Sequence, residues 1–581
     1  MSNDVTTSYG GPPPVPPERR RRKLWVAAGV AGLTGVVGLA ALGGVASRDQ
    51  KSGGQERTSD TQPAAAPRQD GGAPAEKGGK DAGDRGGEWS GARDERGGKE
   101  SARQVPCDTD KLIQAITYAN ANHGGALDLA RNCTYELTRS DGGNGLPVIR
   151  QAIALRGHDT TIARAANADP FRILAVARDG HLTLKNVTIK GGQTVPDLVG
   201  GPPATLPAMP PAPALSPTGQ ETTKAQPKAA KPKAAKPKAA KPKAAKPKAA
   251  KPETTAAKPT KAAAAKPAKP EAKAAKPKAA KTVAEVAPLV QPGPGDGAGL
   301  LVDRGGQADL EHSRFILHNA GGNGGAIANY GTTRLADSLV EASNSAGTGG
   351  GVFNVGVLRV ENSKITANGA NNGGGIGNGA PAMTDALSGG TVWVWKSTIN
   401  RNRALSWGGG LLDYGGTSTL SQSEVVDNHA GNDGGGLAAY SESQLALEKV
   451  LVARNAADDS SGGLAVAADS TAVIEQSTIK ENVAEQYGGG LSVFGATVVL
   501  RDSEIVANRA VALNSVAGGL YNVDGQVRLE RSKVAYNFSN RPPGGIYTNN
   551  DDVTISRDSA VTGNRPTNCV GSPVIPDRCF G

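Results

Sequence analysis

A two-residue alternation of apolar and polar positions runs through the second half of this chain. In the stretch GGGLSVFGATVVLRDSEIVANRA, residues 488–510, the apolar Val498 and Leu500 alternate with polar neighbours such as Arg501 and Glu504. A period of two places successive side chains on opposite sides of a β-strand, whereas a helix would repeat near every 3.6 residues. The pattern therefore predicts short β-strands rather than helices.

The same phrase recurs along the chain. Glycine pairs open the units at intervals of 24 to 29 residues, with one interval of 35: Gly324-Gly325, Gly350-Gly351, Gly374-Gly375, Gly409-Gly410, Gly435-Gly436, Gly462-Gly463, Gly489-Gly490, Gly518-Gly519 and Gly544-Gly545. Each unit closes on an asparagine: Asn319, Asn344, Asn368, Asn402, Asn428, Asn455, Asn482, Asn508, Asn537 and Asn564. A serine often stands five residues earlier: Ser363, Ser397, Ser423, Ser477, Ser503, Ser532 and Ser559. Self-similarity at this period predicts a solenoid.

Each unit is long enough for about three short strands and three turns, which make one full coil. Asparagine tolerates the left-handed backbone of a sharp corner, and the amides of stacked asparagines can hydrogen-bond to one another. Glycine fits the other corner, where a side chain would clash. We expect the leucines that follow the glycine pairs to stack inward as a column: Leu411, Leu437, Leu464 and Leu491.

These residues resemble the right-handed parallel β-helix of the pectate-lyase-like superfamily. The stretch GNGGAIANYG at 323–332, with Phe315 upstream, is similar to the Gly-Gly-Ala-Ile and Phe-x-x-Asn repeats of polymorphic outer membrane proteins. The resemblance covers residues 106–192, with the cap and first coils, and residues 297–581, with the repeats and the C-terminal cap. The predicted fold class is all-β: a right-handed parallel β-helix solenoid with an N-terminal capping helix, to which the chain adds a single transmembrane helix and disordered segments.

The two ends of the folded region carry capping signals. Asp108 is a predicted helix cap, and a helix after it would place Leu112, Ile113, Ile116 and Ala119 on one face, which covers the open edge of the first coil. The four cysteines form no metal-binding motif, so we predict the disulfides Cys107 with Cys133 and Cys569 with Cys579, in an oxidising compartment; four buried free thiols are the alternative. We predict no metal site and no cofactor.

The N-terminal part of the chain predicts the cellular location of the protein. A Pro-rich and basic tail, residues 1–23, precedes an uncharged apolar run at 24–46, which is long enough to cross a bilayer as one helix. The basic side should stay in the cytoplasm, so the folded domain should lie outside the cell membrane, or be secreted if the segment is a cleaved signal. Residues 47–105 hold few apolar side chains and are predicted to be a disordered stalk.

A Lys/Pro/Ala-rich insertion at 193–296 interrupts the repeats. It holds 19 Lys against 6 acidic residues, which accounts for the formal net charge of +11 because the remainder of the chain sums to about −2. Regular prolines forbid a stable helix, so an extended and disordered polycation is predicted. Outside the cell its partners would be wall or surface polyanions rather than nucleic acid, with a plain spacer as the alternative. The predicted polyanion-binding side chains are Lys231, Lys233, Lys236, Lys238, Lys241, Lys243, Lys246 and Lys248.

Relatives of the pectate-lyase-like type include enzymes that cut polysaccharides, which need paired carboxylates or a calcium-binding acidic cluster. The candidates are Asp413, Asp433, Asp458 and Asp459, which recur near what looks like one corner of successive coils. Adjacent aspartates in turns are usually turn formers, so catalysis as a polysaccharide lyase or glycoside hydrolase is the alternative reading.

Aromatic residues favour a binding face. Val392 and Val394 take the inward phase, which leaves Trp393 and Trp395 outward, and aromatic faces can stack on sugar rings. The predicted ligand-binding set is Trp393, Trp395, Trp407, Tyr414, Tyr440 and Phe494. The sequence thus predicts an exported, membrane-anchored β-helix that binds cell-envelope polyanions or glycans without catalysis; a structural spacer is the third reading. It predicts no oligomeric state.

Overall fold

The computed structural model describes residues 102–195, 291–381 and 387–581. The predicted tail at 1–23, the apolar run at 24–46, nearly all of the predicted stalk and the eight lysines at 231–248 lie outside the described residues. Within the described ranges, no helix has the length and apolar character needed to span a membrane. The first described strand, Arg103–Val105, lies before the predicted start of the fold and pairs with Gly125–Leu129.

The chain is wound into an all-β parallel solenoid, in which each strand pairs with the equivalent strand of the next coil. A typical coil has four strands: Leu411–Tyr414, Thr417–Ser421, Glu424–Val426 and His429–Ala430. Three strands were predicted for each coil, and the additional one is the two-residue strand His429–Ala430. The first belongs to a 12-stranded sheet, the next two to a 25-stranded sheet and the last to an 8-stranded sheet.

The strands fall into these three sheets as follows. The 12-stranded sheet contains Leu174–Val176, Leu300–Val302, Ile327–Asn329, Val352–Asn354, Ile376–Ala380, Leu411–Tyr414, Leu437–Tyr440, Leu464–Ala467, Leu491–Phe494, Leu520–Val523 and Ile546–Thr548, with Leu387–Ser388 antiparallel beside Ile376–Ala380. The 8-stranded sheet contains Asn319–Ala320, Asn344–Ser345, Gly369–Ala370, Arg403–Ala404, His429–Ala430, Ala456–Ala457, Val483–Ala484 and Arg509–Ala510.

The 25-stranded sheet runs along two columns. The first column holds Arg103–Val105, Gly125–Leu129, Ala152–Arg164, His181–Lys190, Gln307–Glu311, Thr332–Ala336, Val357–Glu361, Thr391–Trp395, Thr417–Ser421, Gln444–Glu448, Thr471–Glu475, Thr497–Arg501, Gln526–Glu530 and Val553–Ile555. The second holds Thr134–Leu137, Arg314–Ile316, Leu339–Glu341, Lys364–Thr366, Thr398–Asn400, Glu424–Val426, Leu451–Ala453, Thr478–Lys480, Glu504–Val506, Lys533–Ala535 and Ala560–Thr562. The long strands at 152–164 and 181–190 span both columns.

The core lies inside the coils, where the apolar half of each alternation stacks on itself. The predicted leucine column is confirmed, because Leu411 pairs in register with Leu437, Leu437 with Leu464 and Leu464 with Leu491, and all four are fully buried. Each buried leucine contributes about 1.5–3 kcal/mol relative to an exposed one. Repetition of this column in every coil therefore makes coil stacking the main source of stability.

The predicted asparagine ladder is confirmed at the corner between the third and fourth strands. The side-chain amide of each of these asparagines donates to Oδ1 of the asparagine one coil on, from Asn368 through to Asn564, at 2.9–3.0 Å. The left-handed backbone lies one residue earlier than predicted: Asp427 has φ 57° and Ala507 has φ 56°, just before Asn428 and Asn508. The asparagine supplies hydrogen bonds, and its neighbour makes the bend.

Two of the predicted ladder asparagines are placed elsewhere. Asn319 and Asn344 begin strands of the 8-stranded sheet, where they pair with each other in register. The corner positions in those coils belong to His318 and Ser343, which directly precede them. His318 is buried, and burial lowers its pKa to about 3, so the ring is neutral and its Nε2 donates to the Ile189 carbonyl at 3.1 Å. Counting to the nearest asparagine gave the wrong position by one residue.

Glycine and serine fill the other tight places. A Cβ built on Gly410 would lie 2.6 Å from the Gly436 carbonyl oxygen and 3.0 Å from Nδ2 of Asn428, so the glycine column leaves room for the asparagine ladder. The serines form a second ladder, in which Ser477 N donates to Oγ of Ser503 at 3.1 Å. The predicted corner role of glycine is confirmed, and the serine ladder was not predicted.

The N-terminal helix, Thr109–Ala121, and both disulfides are present as predicted. Asp108 Oδ1 accepts a hydrogen bond from Lys111 N at 3.1 Å, and the helix buries Leu112, Ala115, Ile116 and Ala119 against the first strands. The pairs Cys107–Cys133 and Cys569–Cys579 are bonded, with Cα–Cα distances of 5.8 and 6.1 Å.

Candidate functional site

Aromatic side chains collect on the outer surface of the 12-stranded sheet. They come from the outward positions of its strands and from the corner that leads into each strand: Trp407, Tyr414, Tyr440, Tyr487, Phe494, Tyr521 and Tyr547, all half-buried. We call this set the aromatic face. Its floor is built of small or apolar outward residues, Leu412, Ala438 and Ala465, on which Trp407, Tyr414 and Tyr440 pack.

One end of the aromatic face combines rings with carboxylates. The rings of Trp407 and Tyr440 have centroids 5.7 Å apart, and the Tyr440 hydroxyl donates to Oδ2 of Asp433 at 3.4 Å. Burial and the charge of nearby Asp459 raise the pKa of Asp433 to about 6. Burial and the neighbouring Asp433 also raise the pKa of Tyr440 well above its usual value. Asp433 and Asp459 thus form a carboxylate pair beside two aromatic rings.

The other end of the face is a stack of three tyrosines that sequence reasoning missed. Tyr487, Tyr521 and Tyr547 have successive ring centroids 4.8 Å apart, with interplanar angles of 16° and 18°, and Phe494 lies 5.8 Å from Tyr521. The signal was present, because Tyr521 and Tyr547 each stand two residues after a glycine pair. Tyr414, Tyr440 and Phe494 were found only because they stand four residues after such pairs.

Trp393 and Trp395 do not join this face. They lie in the strand Thr391–Trp395 of the 25-stranded sheet, outward as predicted, and each is 39% exposed. The Arg359 guanidinium lies 5.0 Å from the Trp393 ring centroid, and Lys396 Nζ lies 4.3 Å from that of Trp395. The six predicted ligand-binding aromatics are therefore divided between two sheets. The tryptophan pair lies in a strand of the 25-stranded sheet, whereas Trp407 lies at the corner that enters the 12-stranded sheet.

The predicted carboxylate set is also divided. Asp433, Asp458 and Asp459 lie at the corner that enters the 12-stranded sheet, whereas Asp413 lies within the strand Leu411–Tyr414 and is fully buried. Its Oδ1 accepts from Asn378 Nδ2, Gly416 N and Ser443 Oγ at 3.0–3.2 Å. Burial raises the pKa of Asp413 to about 6. It ends an interior polar ladder, Asn329, Asn354 and Asn378, and faces away from any external ligand.

Asp458 has a partner of its own. His429 Nε2 lies 2.9 Å from Asp458 Oδ1, and the histidine side chain is only 5% exposed whereas that of Asp458 is 55% exposed. His429 is therefore buried at this corner, beside a carboxylate that is open to solvent. Within the described ranges, no group of three His, Cys, Asp or Glu residues is placed to hold a metal ion.

The arrangement offers an open, elongated surface of rings with carboxylates along its edge, which suits contact with a polymer. Stacking on such rings needs few rotamers to be fixed and buries a large area. In comparisons with known proteins, no protein-family model, curated protein or solved structure matches this chain.

Proposed function

We propose that this chain is an exported, membrane-anchored right-handed β-helix of the pectate-lyase-like type, which binds cell-envelope polymers without catalysis. In this proposal the helix at 109–121 closes the first coil, and residues 24–46 hold the protein in the membrane. The aromatic face binds neutral glycans by ring stacking, and the lysines at 231–248 hold anionic polymers through counterion release. The observation that carries the proposal is the aromatic face itself.

Three features of the face support glycan binding. The rings of Trp407 and Tyr440 pack on a floor of small or apolar residues and on each other, and both remain partly exposed. The tyrosine stack repeats at 4.8 Å, the spacing of the coils, which extends the surface along the solenoid. A collection of partly exposed rings on one face of a sheet is typical of an interaction site.

A matched pair of variants tests the proposal on the full chain. Trp407→Ala/Tyr440→Ala removes rings from the aromatic face, and Trp393→Ala/Trp395→Ala removes the same number from the other sheet. We expect retention on neutral wall glycan at high salt to fall about tenfold in the first variant, the loss of roughly 1.4 kcal/mol. The second variant should retain wild-type binding. Equal loss in both variants, or in neither, would reject the aromatic face as the glycan site.

One observation favours a second candidate function. The pKa of Asp433 is raised to about 6 beside Asp459, and a pair of carboxylates with different protonation is what a glycoside hydrolase uses as acid and base. In that case Asp433→Asn would abolish the release of reducing ends from a polysaccharide that the protein binds, while binding would persist. Wild-type activity would decline above about pH 6, where the acid is ionised. If no bound polysaccharide is cleaved at pH 5, this candidate fails.

A further inference from the structure

Charged residues are distributed unevenly around the solenoid. The five strands from Leu411 to Val523 of the 12-stranded sheet, and the corners that flank them, contain no Lys or Arg. The corners do contain carboxylates: Asp433, Asp458, Asp459 and Glu485 on one edge, and Glu442, Asp469 and Asp524 on the other. We call these the acidic rims of the aromatic face. Among the described residues, none of the rim carboxylates forms an ion pair with Lys or Arg.

The 25-stranded sheet shows the opposite arrangement. Arg501 lies between two carboxylates, with Nη1 2.7 Å from Glu475 and Nε 3.1 Å from Glu530. Arg334 lies between Glu311 and Glu361 in the same way. Several carboxylates of this sheet are thus paired with arginine, whereas the carboxylates along the aromatic face have no Lys or Arg partner. A surface of rings between rims of such carboxylates fits a partner that carries positive charge.

The chain itself contains such a segment, and both of its ends are attached to this edge of the solenoid. Thr194 Oγ1 donates to the Gly295 carbonyl, which holds the two ends of residues 196–290 together. Asp296 Oδ2 accepts from the hydroxyl of Tyr330, which directly follows the strand Ile327–Asn329 of the 12-stranded sheet. The segment therefore leaves and rejoins the fold beside the sheet that carries the aromatic face.

The distance along the sheet is short compared with the length of the segment. Four strand spacings separate Leu300–Val302, just after the insertion, from Leu411–Tyr414, or ~19 Å at ~4.8 Å each. Residues 196–290 span up to roughly 290 Å if fully extended at ~3.1 Å per residue. The aromatic face thus lies within reach, and tethering gives the segment an effective concentration on the order of millimolar.

The chemistry of the segment matches both parts of the surface. Its repeated Lys-Pro-Lys-Ala-Ala units, within residues 224–281, alternate proline rings with ammonium groups. Proline-rich segments dock in aromatic-lined grooves, and ammonium groups favour carboxylates and the faces of Trp and Tyr. We propose that the aromatic face binds residues 224–281 of the same chain, with prolines on the rings and lysines at the acidic rims. Glycan and segment then compete for one surface, although the contact does not depend on glycan binding.

Zero-length carbodiimide crosslinking of the full-length protein tests this contact, because it joins only amines and carboxylates that touch. We expect mass spectrometry to find crosslinks from the lysines at 231–248 to the rim carboxylates about fivefold more often than to Glu424 and Glu504, which are exposed on the 25-stranded sheet. The preference should disappear in 1 M salt, where the Debye length is about 3 Å. It should also fall at Asp458 and Glu442 in a variant with Asp433→Asn, Asp459→Asn and Glu485→Gln, but not in the control Glu424→Gln/Glu504→Gln.

Three results would overturn the proposal. One is an equal crosslink frequency at rim and control carboxylates, and another is the absence of rim crosslinks. The third comes from a mixture of ¹⁴N- and ¹⁵N-labelled protein: crosslinks that join a light lysine to a heavy carboxylate would place the segment on a second copy instead. The readout is a contact within the protein, so it stands or falls separately from glycan binding.

Discussion

Two corners of the same coil follow opposite rules. At the asparagine corner, between the third and fourth strands, the same residue occurs in every coil from Asn368 to Asn564, and each copy is buried and fully hydrogen-bonded. At the corner that enters the 12-stranded sheet, which we call the variable corner, equivalent positions hold different residues: Thr348, Asn372, Trp407, Asp433, Ser460, Tyr487 and Val516. Successive coils thus allow the same structural position to be compared with different residues in it.

The difference between the two corners shows which residues the fold requires and which positions tolerate different residues. The amide of Asn455 makes bonds to two neighbouring coils: it donates to the Val425 carbonyl and to Asn482 Oδ1, and its own Oδ1 accepts from Asn428 Nδ2. At the variable corner Trp407, Asp433 and Tyr487 are half-buried and Ser460 is buried, so Trp, Asp, Ser and Tyr are all compatible with the same backbone. Rings and carboxylates at this corner are therefore available for binding.

The largest expected effect comes from breaking the asparagine corner. Asn455→Ala removes two donated bonds and leaves Asn428 N and Asn428 Nδ2 without their acceptor, so the free energy of unfolding should fall by about 3–5 kcal/mol. Thermal unfolding followed by circular dichroism measures the loss. The control is Asn432→Ala, an exposed residue of the variable corner, for which we expect a change below about 0.5 kcal/mol. Similar decreases in the free energy of unfolding in both variants would show that the two corners do not differ in their importance for the fold.

A smaller effect, of opposite sign, is expected at the end of the interior ladder. The pKa of Asp413 is about 6 in the folded protein and near its usual value of about 3.9 in the unfolded chain. A raised folded pKa means that stability is highest below about pH 4 and decreases as the pH rises to about 6. Asp413→Asn should therefore stabilise the protein by about 2–3 kcal/mol at pH 7.5, and the two proteins should converge below pH 4.

Thermal midpoints of wild type and Asp413→Asn, measured from pH 3.5 to pH 8, check this sign. Asparagine continues the ladder of Asn329, Asn354 and Asn378, so it fits the site. A variant that is less stable than wild type at pH 7.5 would show that the carboxylate is needed in its charged form.

The smallest effect on stability is expected at Asp433. Its carboxyl group accepts a 3.4 Å hydrogen bond from Tyr440 and is partly open to solvent, so at pH 3.5, where the raised pKa keeps the folded protein's acid protonated, Asp433→Asn should change the free energy of unfolding by less than about 1 kcal/mol. The same variant removes charge from the acidic rim, so it should reduce the salt dependence of crosslinking to Asp458. Loss of several kcal/mol would assign Asp433 to the fold rather than to the surface.

The sequence predicted the repeating part of the molecule well for a physical reason. Period-two alternation, inward leucines and the stacked Asn428 and Asn455 amides arise from constraints that act identically in every coil, so repetition reveals them. The site was predicted only in part, because its members come from different coils and different strands. The alternation that turns Leu411 inward also turns Asp413 inward, but the carboxylates were grouped by their recurrence along the chain, and no local pattern shows that Trp393 and Trp407 belong to different sheets.

The most direct test exchanges residues between equivalent positions of the variable corner. Trp407→Ser and Tyr487→Ser together place at both positions the residue that the coil of Ser460 already uses. We expect a thermal midpoint close to that of wild type and about a tenfold loss of retention on neutral wall glycan at high salt. A large fall in the thermal midpoint, comparable to that of Asn455→Ala, with glycan binding retained by the folded fraction, would contradict this expectation.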